Sequence, residues 1–130
     1  MQAAILEKLN HELKIGDVEM PKKLDYGQVK IKLKTSGICG SQIGEILGVK
    51  GDDKYLPHLL GHEGCGEILE IGPGVTKVKI GDLVVLHWMK GDGIQSNVPK
   101  YVWEGKHLNA GWVTTFNSHC LLYTSDAADD

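Results

Sequence analysis

Residues 59–71 read Leu-Leu-Gly-His-Glu-Gly-Cys-Gly-Glu-Ile-Leu-Glu-Ile, a glycine-rich start that runs into a mainly apolar segment. Gly72-Pro73-Gly74 follows as a turn. Val75 to Ile80 then leads to a second turn at Gly81-Asp82, and the apolar run Leu83 to Leu86 predicts a continuously buried strand. Turns at this spacing favour short strands over long helices.

The residues before this stretch also show strand patterns. Val29, Ile31 and Leu33 alternate with three lysines, which predicts a half-buried antiparallel strand with a lysine-covered outer face. Ala3 to Leu9 and Leu13 to Val18 predict a hairpin that is broken at Asn10-His11.

One short helix is predicted between these two regions. Ser41 is a plausible N-cap for it, and Ile43, Ile46 and Leu47 follow at helical spacing. Gly48 is expected to end the helix.

The second half of the chain is less regular. Lys90 to Ala110 has no clear periodicity and predicts a long surface excursion, whereas Gly111 to Asn117 predicts another strand. His58 and His107 are expected at the surface. Many short strands with one short helix favour an all-β barrel or sandwich.

Composition excludes several classes of function. Hydrophobic residues make up 42% of the 130, enough for a core. The formal charge of −3 depends on three aspartates among the last five residues; without them, 14 lysines balance 14 acids. Neither nucleic acid nor a membrane is therefore indicated as a partner. No run approaches the roughly 18 apolar residues of a membrane span, and the start lacks signal-peptide features, so we expect a cytoplasmic protein.

Cysteine and histidine positions raise the question of a metal site. Cys39, Cys65 and Cys120 are irregularly spaced, so they predict free thiols, metal ligands or small core residues rather than a disulfide framework. Cys39 and His62 have side chains that bind Zn²⁺ well. They are 23 residues apart, so only tertiary folding could unite them, and core or surface roles remain open for both.

Three motifs in order resemble the GroES-like catalytic domain of zinc-dependent medium-chain dehydrogenases. They are Gly-Ile-Cys-Gly-Ser (37–41), Leu-Leu-Gly-His-Glu-Gly-Cys-Gly-Glu-Ile (59–68) and Ile-Gly-Pro-Gly-Val-Thr-Lys-Val-Lys-Ile-Gly-Asp-Leu-Val (71–84). The match extends to about residue 119. The resemblance implies a mainly β fold, a GroES-like partly open antiparallel barrel with one or two short helices, without the family's Rossmann domain.

The resemblance also implies roles for four residues. Cys39 and His62 match two ligands of a catalytic zinc ion. Glu63 matches an acid that lies near the metal in the family, and a lysine-paired structural acid is the alternative. Ser41 matches the hydroxyl residue that hydrogen-bonds the substrate oxygen and passes its proton outward. The third protein ligand, usually a cysteine, is expected beyond the end of this chain.

Three departures from the family pattern modify these expectations. Gln42 stands where many relatives have an aspartate that steadies the ligand histidine, so metal affinity or rate could differ. Gly44 lies near the position of a histidine that extends the proton relay in some relatives, so that extension is missing. Trp88 to Trp112, where many members bind a structural zinc through four cysteines, contains no cysteine. One catalytic zinc and no structural zinc are therefore expected.

The activity implied by the resemblance is that of a zinc-dependent, NAD(P)-linked alcohol or polyol dehydrogenase. Zinc as a Lewis acid would stabilise an alkoxide, which passes a hydride to NAD or NADP. We expect a small alcohol or aldehyde as substrate, and a homodimer or homotetramer at full length. No cofactor-binding residue is predicted, because Gly72-Pro73-Gly74 has Lys77 at the third glycine position of a dinucleotide fingerprint. A metal-free GroES-like binding module is the alternative.

The last eleven residues, 120–130, match one reading frame of a common sequencing-library adapter. We therefore expect residues 1–119 to be the GroES-like zinc domain, incomplete at its C-terminal end, and residues 120–130 to be a non-native tail. A genuine acidic terminus is the alternative. On the first interpretation the chain is an inactive fragment, and Cys120 is not a ligand.

Overall fold

The computed structural model describes residues 1–89 and 92–110, and the backbone of 122–124. Within these residues the structure is mainly β, as predicted, with one short helix. In chain order the elements are β1 (Gln2–Leu6), β2 (Lys14–Asp17), β3 (Val29–Ser36), α1 (Gly40–Ile46), β4 (His58–Leu59), β5 (Gly64–Ile71), β6 (Leu83–Leu86), β7 (Tyr101–Trp103), β8 (Lys106–Leu108) and β9 (Leu122–Thr124).

The strands form two open antiparallel sheets and a separate hairpin. One sheet has the order β2-β1-β4, the other has the order β3-β5-β6-β9, and β7 pairs with β8. The predicted N-terminal hairpin is confirmed as β1 and β2, and Asn10 in its connection has a positive φ of 59°. No helix in the described part of the chain is long and apolar enough to cross a membrane.

The hairpin β7–β8 corrects the prediction of a surface excursion over Lys90 to Ala110. Tyr101, Trp103 and Leu108 are buried against Ile5 and other residues of the β1 sheet. The backbone N–H of Glu19 donates to Val102 O at 2.8 Å, which ties this hairpin to the chain after β2. Strands of three residues are too short to show a two-residue period, so the sequence pattern missed them.

A second core cluster lies under the larger sheet and consists of Ile68, Val78, Val84 and Leu86. The bounds predicted for β6 are confirmed, but its continuous burial is wrong. Val84 and Leu86 are buried, whereas Leu83 and Val85 are exposed, because this sheet covers the core with one face only.

The lysine-covered face predicted for β3 is confirmed, and Val29 and Ile31 pack against the core, but Leu33, expected on the buried face, is exposed. Lys30 Nζ lies 2.8 Å from Glu70 Oε1, and Lys34 Nζ lies 3.1 Å from Glu67 Oε2. Both pairs join β3 to β5 across neighbouring strands. Exposed pairs of this kind contribute about 0.2–1 kcal/mol each, so they support the register more than the stability of the sheet.

Two predictions fall largely outside the described residues. The strand predicted over Gly111 to Asn117 lies there, and so does most of the predicted tail, including Cys120. Within that tail, only the backbone of β9 is described, and it pairs with β6.

Candidate metal centre

The pairing of β3 with β5 brings the two motifs together. These strands run antiparallel, so the end of β3 at Ser36 lies opposite the start of β5 at Gly64. Just beyond this pair, the Gly37 N–H and the Ser36 hydroxyl both donate to Glu63 O, each at 3.2 Å. The residues that follow β3 therefore lie beside those that precede β5, and the separation in sequence between Cys39 and His62 is closed.

Helix α1 begins two residues earlier than the sequence predicted. Its N-cap is Cys39, so the assignment of Ser41 as the N-cap is wrong, and Ser41 lies inside the first turn. The Cys39 N–H donates to the side-chain Oε1 of Gln42 at 2.8 Å, so Gln42 supports the start of the helix. The predicted end is confirmed, because Gly48 adopts a φ of 66° and donates its N–H to Glu45 O.

The burial of α1 differs from its apolar spacing, of which only Ile46 is half-buried. Ile43 and Leu47 are exposed, and Gln42, with 8% exposure, is the buried residue of the helix. The buried side of α1 therefore faces the metal-ligand candidates with a polar side chain.

Cys39, His62 and Glu63 form one cluster. A cysteine sulfur, an imidazole nitrogen and a carboxylate oxygen from these residues all lie within 4.8 Å of one another. His62 Nε2 is 3.8 Å from Glu63 Oε1, and the two side chains are 14% and 50% exposed respectively. Thiolate, imidazole and carboxylate are all established Zn²⁺ ligands, so the donor set fits zinc.

Two glycines make room for this cluster. Gly61 has a φ of 114°, a backbone conformation that residues with a Cβ rarely adopt, and it immediately precedes His62. At Gly37, an added Cβ would overlap the Oε2 atom of Glu63. Gly61 therefore provides the backbone conformation that precedes His62, and Gly37 leaves space for the Glu63 side chain.

Ser41 lies at the solvent side of the cluster. Its hydroxyl donates to Cys39 Sγ at 3.3 Å, and the residue is exposed. The arrangement places a hydroxyl that can exchange protons with water next to a candidate metal ligand.

Sequence reasoning missed the role of Gln42. It predicted only the loss of an acid that steadies a histidine, whereas the side chain holds the Cys39 backbone and approaches Gly61. Gln42 Nε2 would lie 3.8 Å from a Cβ placed on Gly61. The signal was present as Cys39-x-x-Gln42, which has a glutamine at the third position after the cap, as in a capping box.

The remaining candidates lie apart from this cluster. Cys65, for which thiol, ligand and core roles were left open, is half-buried within β5, opposite Thr35 and Val85. His107 is exposed, as predicted. His58 is not a surface residue, since its side chain is 1% exposed.

Comparison with known proteins identifies the family. The family model described as the alcohol dehydrogenase GroES-like domain matches residues 25–122. An alcohol dehydrogenase of Geobacillus stearothermophilus is 39% identical over 89 residues, which are 68% of this chain and 26% of that protein. Sorbitol dehydrogenase 1 of Saccharomyces cerevisiae is 35% identical over 108 residues, 81% of this chain and 29% of that protein.

A solved structure shows the same fold. The alcohol dehydrogenase of Aeropyrum pernix aligns with a TM-score of 0.65 and 24% identity over 97% of this chain and 40% of that one. The chain thus spans about a quarter of the length of the curated relatives it matches. Those relatives are oxidoreductases, and the mainly β, open-sheet architecture is that of their GroES-like domain. The chain belongs to the alcohol dehydrogenase GroES-like domain family.

Proposed function

We propose that this chain provides the catalytic zinc-binding part of an NAD(P)-linked dehydrogenase that oxidises a small alcohol or polyol in the cytoplasm. The observation that carries the proposal is the cluster of Cys39, His62 and Glu63, with ligand atoms within 4.8 Å of one another. Family membership supports the reaction class, because relatives include alcohol and sorbitol dehydrogenases. We take residues 1–119 as the domain, residues 120–130 as a non-native tail, and a homodimer or homotetramer as the full-length assembly.

The protein's part of the proposed site is to hold and orient the metal. Cys39 Sγ and an imidazole nitrogen of His62 would be its ligands, with the Glu63 carboxylate close by. A zinc ion bound there would act as a Lewis acid that makes an alcohol hydroxyl easier to deprotonate. Gln42 fixes the Cys39 backbone, and Gly37 leaves space for the Glu63 carboxylate.

Ser41 would move the proton of the alcohol. Its Oγ hydrogen-bonds Cys39 Sγ at 3.3 Å and the residue is exposed, so the hydroxyl can accept the proton of the alcohol while its own proton passes to water. Gly44, half-buried in α1, offers no side chain to extend this path. Among the described residues, the proposed proton path would therefore end at Ser41 Oγ. The hydride acceptor, NAD or NADP, would be bound by residues of the full-length protein that this chain does not contain.

Zinc analysis of the 130-residue chain and its variants tests the ligand assignment. We expect Cys39→Ser and His62→Ala each to lower zinc affinity by at least about tenfold, because loss of a ligand costs at least as much as loss of an outer partner. Cys65→Ser is the matched control and is expected to bind zinc like the unaltered chain. Ser41→Ala is expected to keep zinc and, in the full-length enzyme, to lower turnover.

Two zinc-binding results would contradict this proposal. Unchanged zinc affinity in both ligand variants would refute the assignment of Cys39 and His62. A full-length protein that binds no zinc at all would favour a metal-free GroES-like binding module, which uses the same fold without this chemistry.

A further inference from the structure

A second group of potential ligands lies outside the candidate centre. Glu45 comes from α1, Asp53 from the loop before β4, and His58 from β4 itself. One ligand atom from each of the three lies within 4.8 Å of the other two. His58 is 1% exposed, Asp53 13% and Glu45 33%, so the group is a buried histidine reached from solvent past two carboxylates.

The orientation of the His58 ring follows from its hydrogen bonds. Its Nδ1 lies 2.7 Å from Leu59 O, and a carbonyl oxygen can only accept, so Nδ1 carries the hydrogen. In the neutral ring, Nε2 then has a lone pair. Nε2 faces Asp53 Oδ2 at 2.9 Å and Glu45 Oε1 at 3.8 Å. Three electron-pair donors therefore face one another, and only a proton or a metal cation between them makes the contact favourable.

This is the arrangement in which histidines commonly bind metals. The ring nitrogen that is not a ligand donates to a carbonyl, which fixes the tautomer and directs the other nitrogen at the metal. Asp53 is oriented in a similar way, because its Oδ1 accepts the Tyr55 N–H at 2.8 Å. Its other oxygen, Oδ2, is thereby directed at His58.

The charge of the group also favours a bound cation. Glu45 and Asp53 together bring two negative charges, and within the described part of the chain neither forms a salt bridge with a lysine. Elsewhere, glutamates of this protein pair with lysines, as Glu70 does with Lys30. Among the described residues, the two carboxylates around His58 thus have no lysine partner.

We propose that Glu45, Asp53 and His58 form a second metal site, for a first-row divalent ion such as Zn²⁺, independent of the centre at Cys39. One imidazole and two carboxylates suit such an ion better than Mg²⁺ or Ca²⁺, which prefer oxygen ligands alone. Water would complete the coordination on the side of Glu45. The bound ion would join α1 to the loop before β4 and so hold the helix that begins at Cys39.

The test uses the 130-residue chain with the first centre removed by Cys39→Ser and His62→Ala. After chelator treatment, this double variant is titrated with Zn²⁺ by calorimetry. We expect one ion to bind. Adding Glu45→Gln or Asp53→Asn is expected to weaken binding by at least about tenfold. Asp52→Asn, at the exposed neighbouring acid, is the matched control and is expected to change nothing.

Cobalt provides a readout that separates the two sites. Co²⁺ bound through Cys39 gives a thiolate charge-transfer absorption, whereas Co²⁺ on imidazole and carboxylate gives only weak visible bands. We expect the weak bands to persist in the double variant and to be lost with Glu45→Gln. The Glu45 side chain is partly exposed and forms no short hydrogen bond with another described residue, so its replacement tests the site even if Asp53→Asn unfolds the chain.

Two results would overturn this proposal. One is a double variant that binds no Zn²⁺, which would mean that a proton alone occupies the space between the three side chains. The other is binding that survives both Glu45→Gln and Asp53→Asn. The two proposals can fail separately. Zinc binding that is lost only with Cys39 and His62 supports the proposed function alone, and zinc binding that is lost only with Glu45 or Asp53 supports the second site alone.

Discussion

The side chain of Gln42 offers a direct test of how α1 supports the candidate centre. Its Oε1 accepts the Cys39 N–H at 2.8 Å, and the residue is 8% exposed. Gln42→Met removes the acceptor while keeping an unbranched side chain of similar size and a good helix former. The Cys39 N–H, which is partly buried, is then left without its partner.

The size of the effect follows from that lost hydrogen bond. An unsatisfied buried donor costs about 1–3 kcal/mol. Because the Cys39 N–H is only partly buried and the methionine adds apolar contact, we expect the free energy of unfolding to fall by about 1–2 kcal/mol. For a domain of this size each kcal/mol corresponds to roughly 4 °C in Tm. Because Cys39 is also a proposed ligand, we expect zinc affinity to fall by about 10- to 100-fold.

The assay combines thermal unfolding of the metal-free chain with a zinc competition titration. Gln42→Glu keeps an acceptor for the Cys39 N–H and is expected to retain most of both properties. Gln95→Met makes the same chemical change at an exposed position and controls for the added methionine. A Gln42→Met variant with the stability and zinc affinity of the unaltered chain would refute the view that this side chain positions Cys39.

Two further predictions use other contacts. Gly37→Ala should displace the Glu63 carboxylate, because the new Cβ would overlap Oε2, and should weaken zinc binding in a competition titration. Gly40→Ala is the control: its Cβ would meet nothing within 4 Å, so zinc binding should stay unchanged. Equal affinities for the two variants would exclude a role for this close approach. The pKa of Lys14 is raised mainly by its hydrogen bond with Glu7. Desolvation opposes this effect, and the negative charges of Glu7 and Glu104 add smaller increases. This stabilisation is present below the ordinary lysine pKa of 10.5 and is lost as pH rises through the raised pKa of Lys14. Glu7→Gln should therefore destabilise the chain at pH 8 and lose its effect at more alkaline pH, as measured by urea unfolding. An effect that persists there would contradict the assignment.

Much of the larger sheet is contained in local sequence patterns. The lysine alternation of β3, the turns that follow β5 and the bounds of β6 depend on neighbouring residues, and the structure confirms them. The hairpin β7–β8 was not predictable in this way. Its three-residue strands acquire their burial from contact with Ile5 and the β1 sheet, which are distant in sequence.

The helix shows the same limit at the candidate site. Its existence and its end at Gly48 follow from local residues, but its start does not. Ser41 and Cys39 compete as caps, and the outcome depends on which side of the helix the protein covers. In the structure, the side of α1 that carries Gln42 is buried. The Gln42 side chain accepts the Cys39 N–H, so Cys39 is the N-cap and Ser41 stays exposed.

The sequence by itself determined the chemical types of the candidate ligands and the family resemblance of the motifs around Cys39 and His62. It also predicted a strand before Cys39, from the alternation of Val29, Ile31 and Leu33, and a mainly apolar segment after His62. Only the tertiary structure decided that the ligand atoms of Cys39, His62 and Glu63 lie within 4.8 Å of one another. The physical reason is the register of β3 against β5, since antiparallel pairing of Ser36 with Gly64 places the end of one motif against the start of the other. Distant packing also decides His58, which the sequence placed at the surface and which the fold buries in β4, beside Glu45 and Asp53.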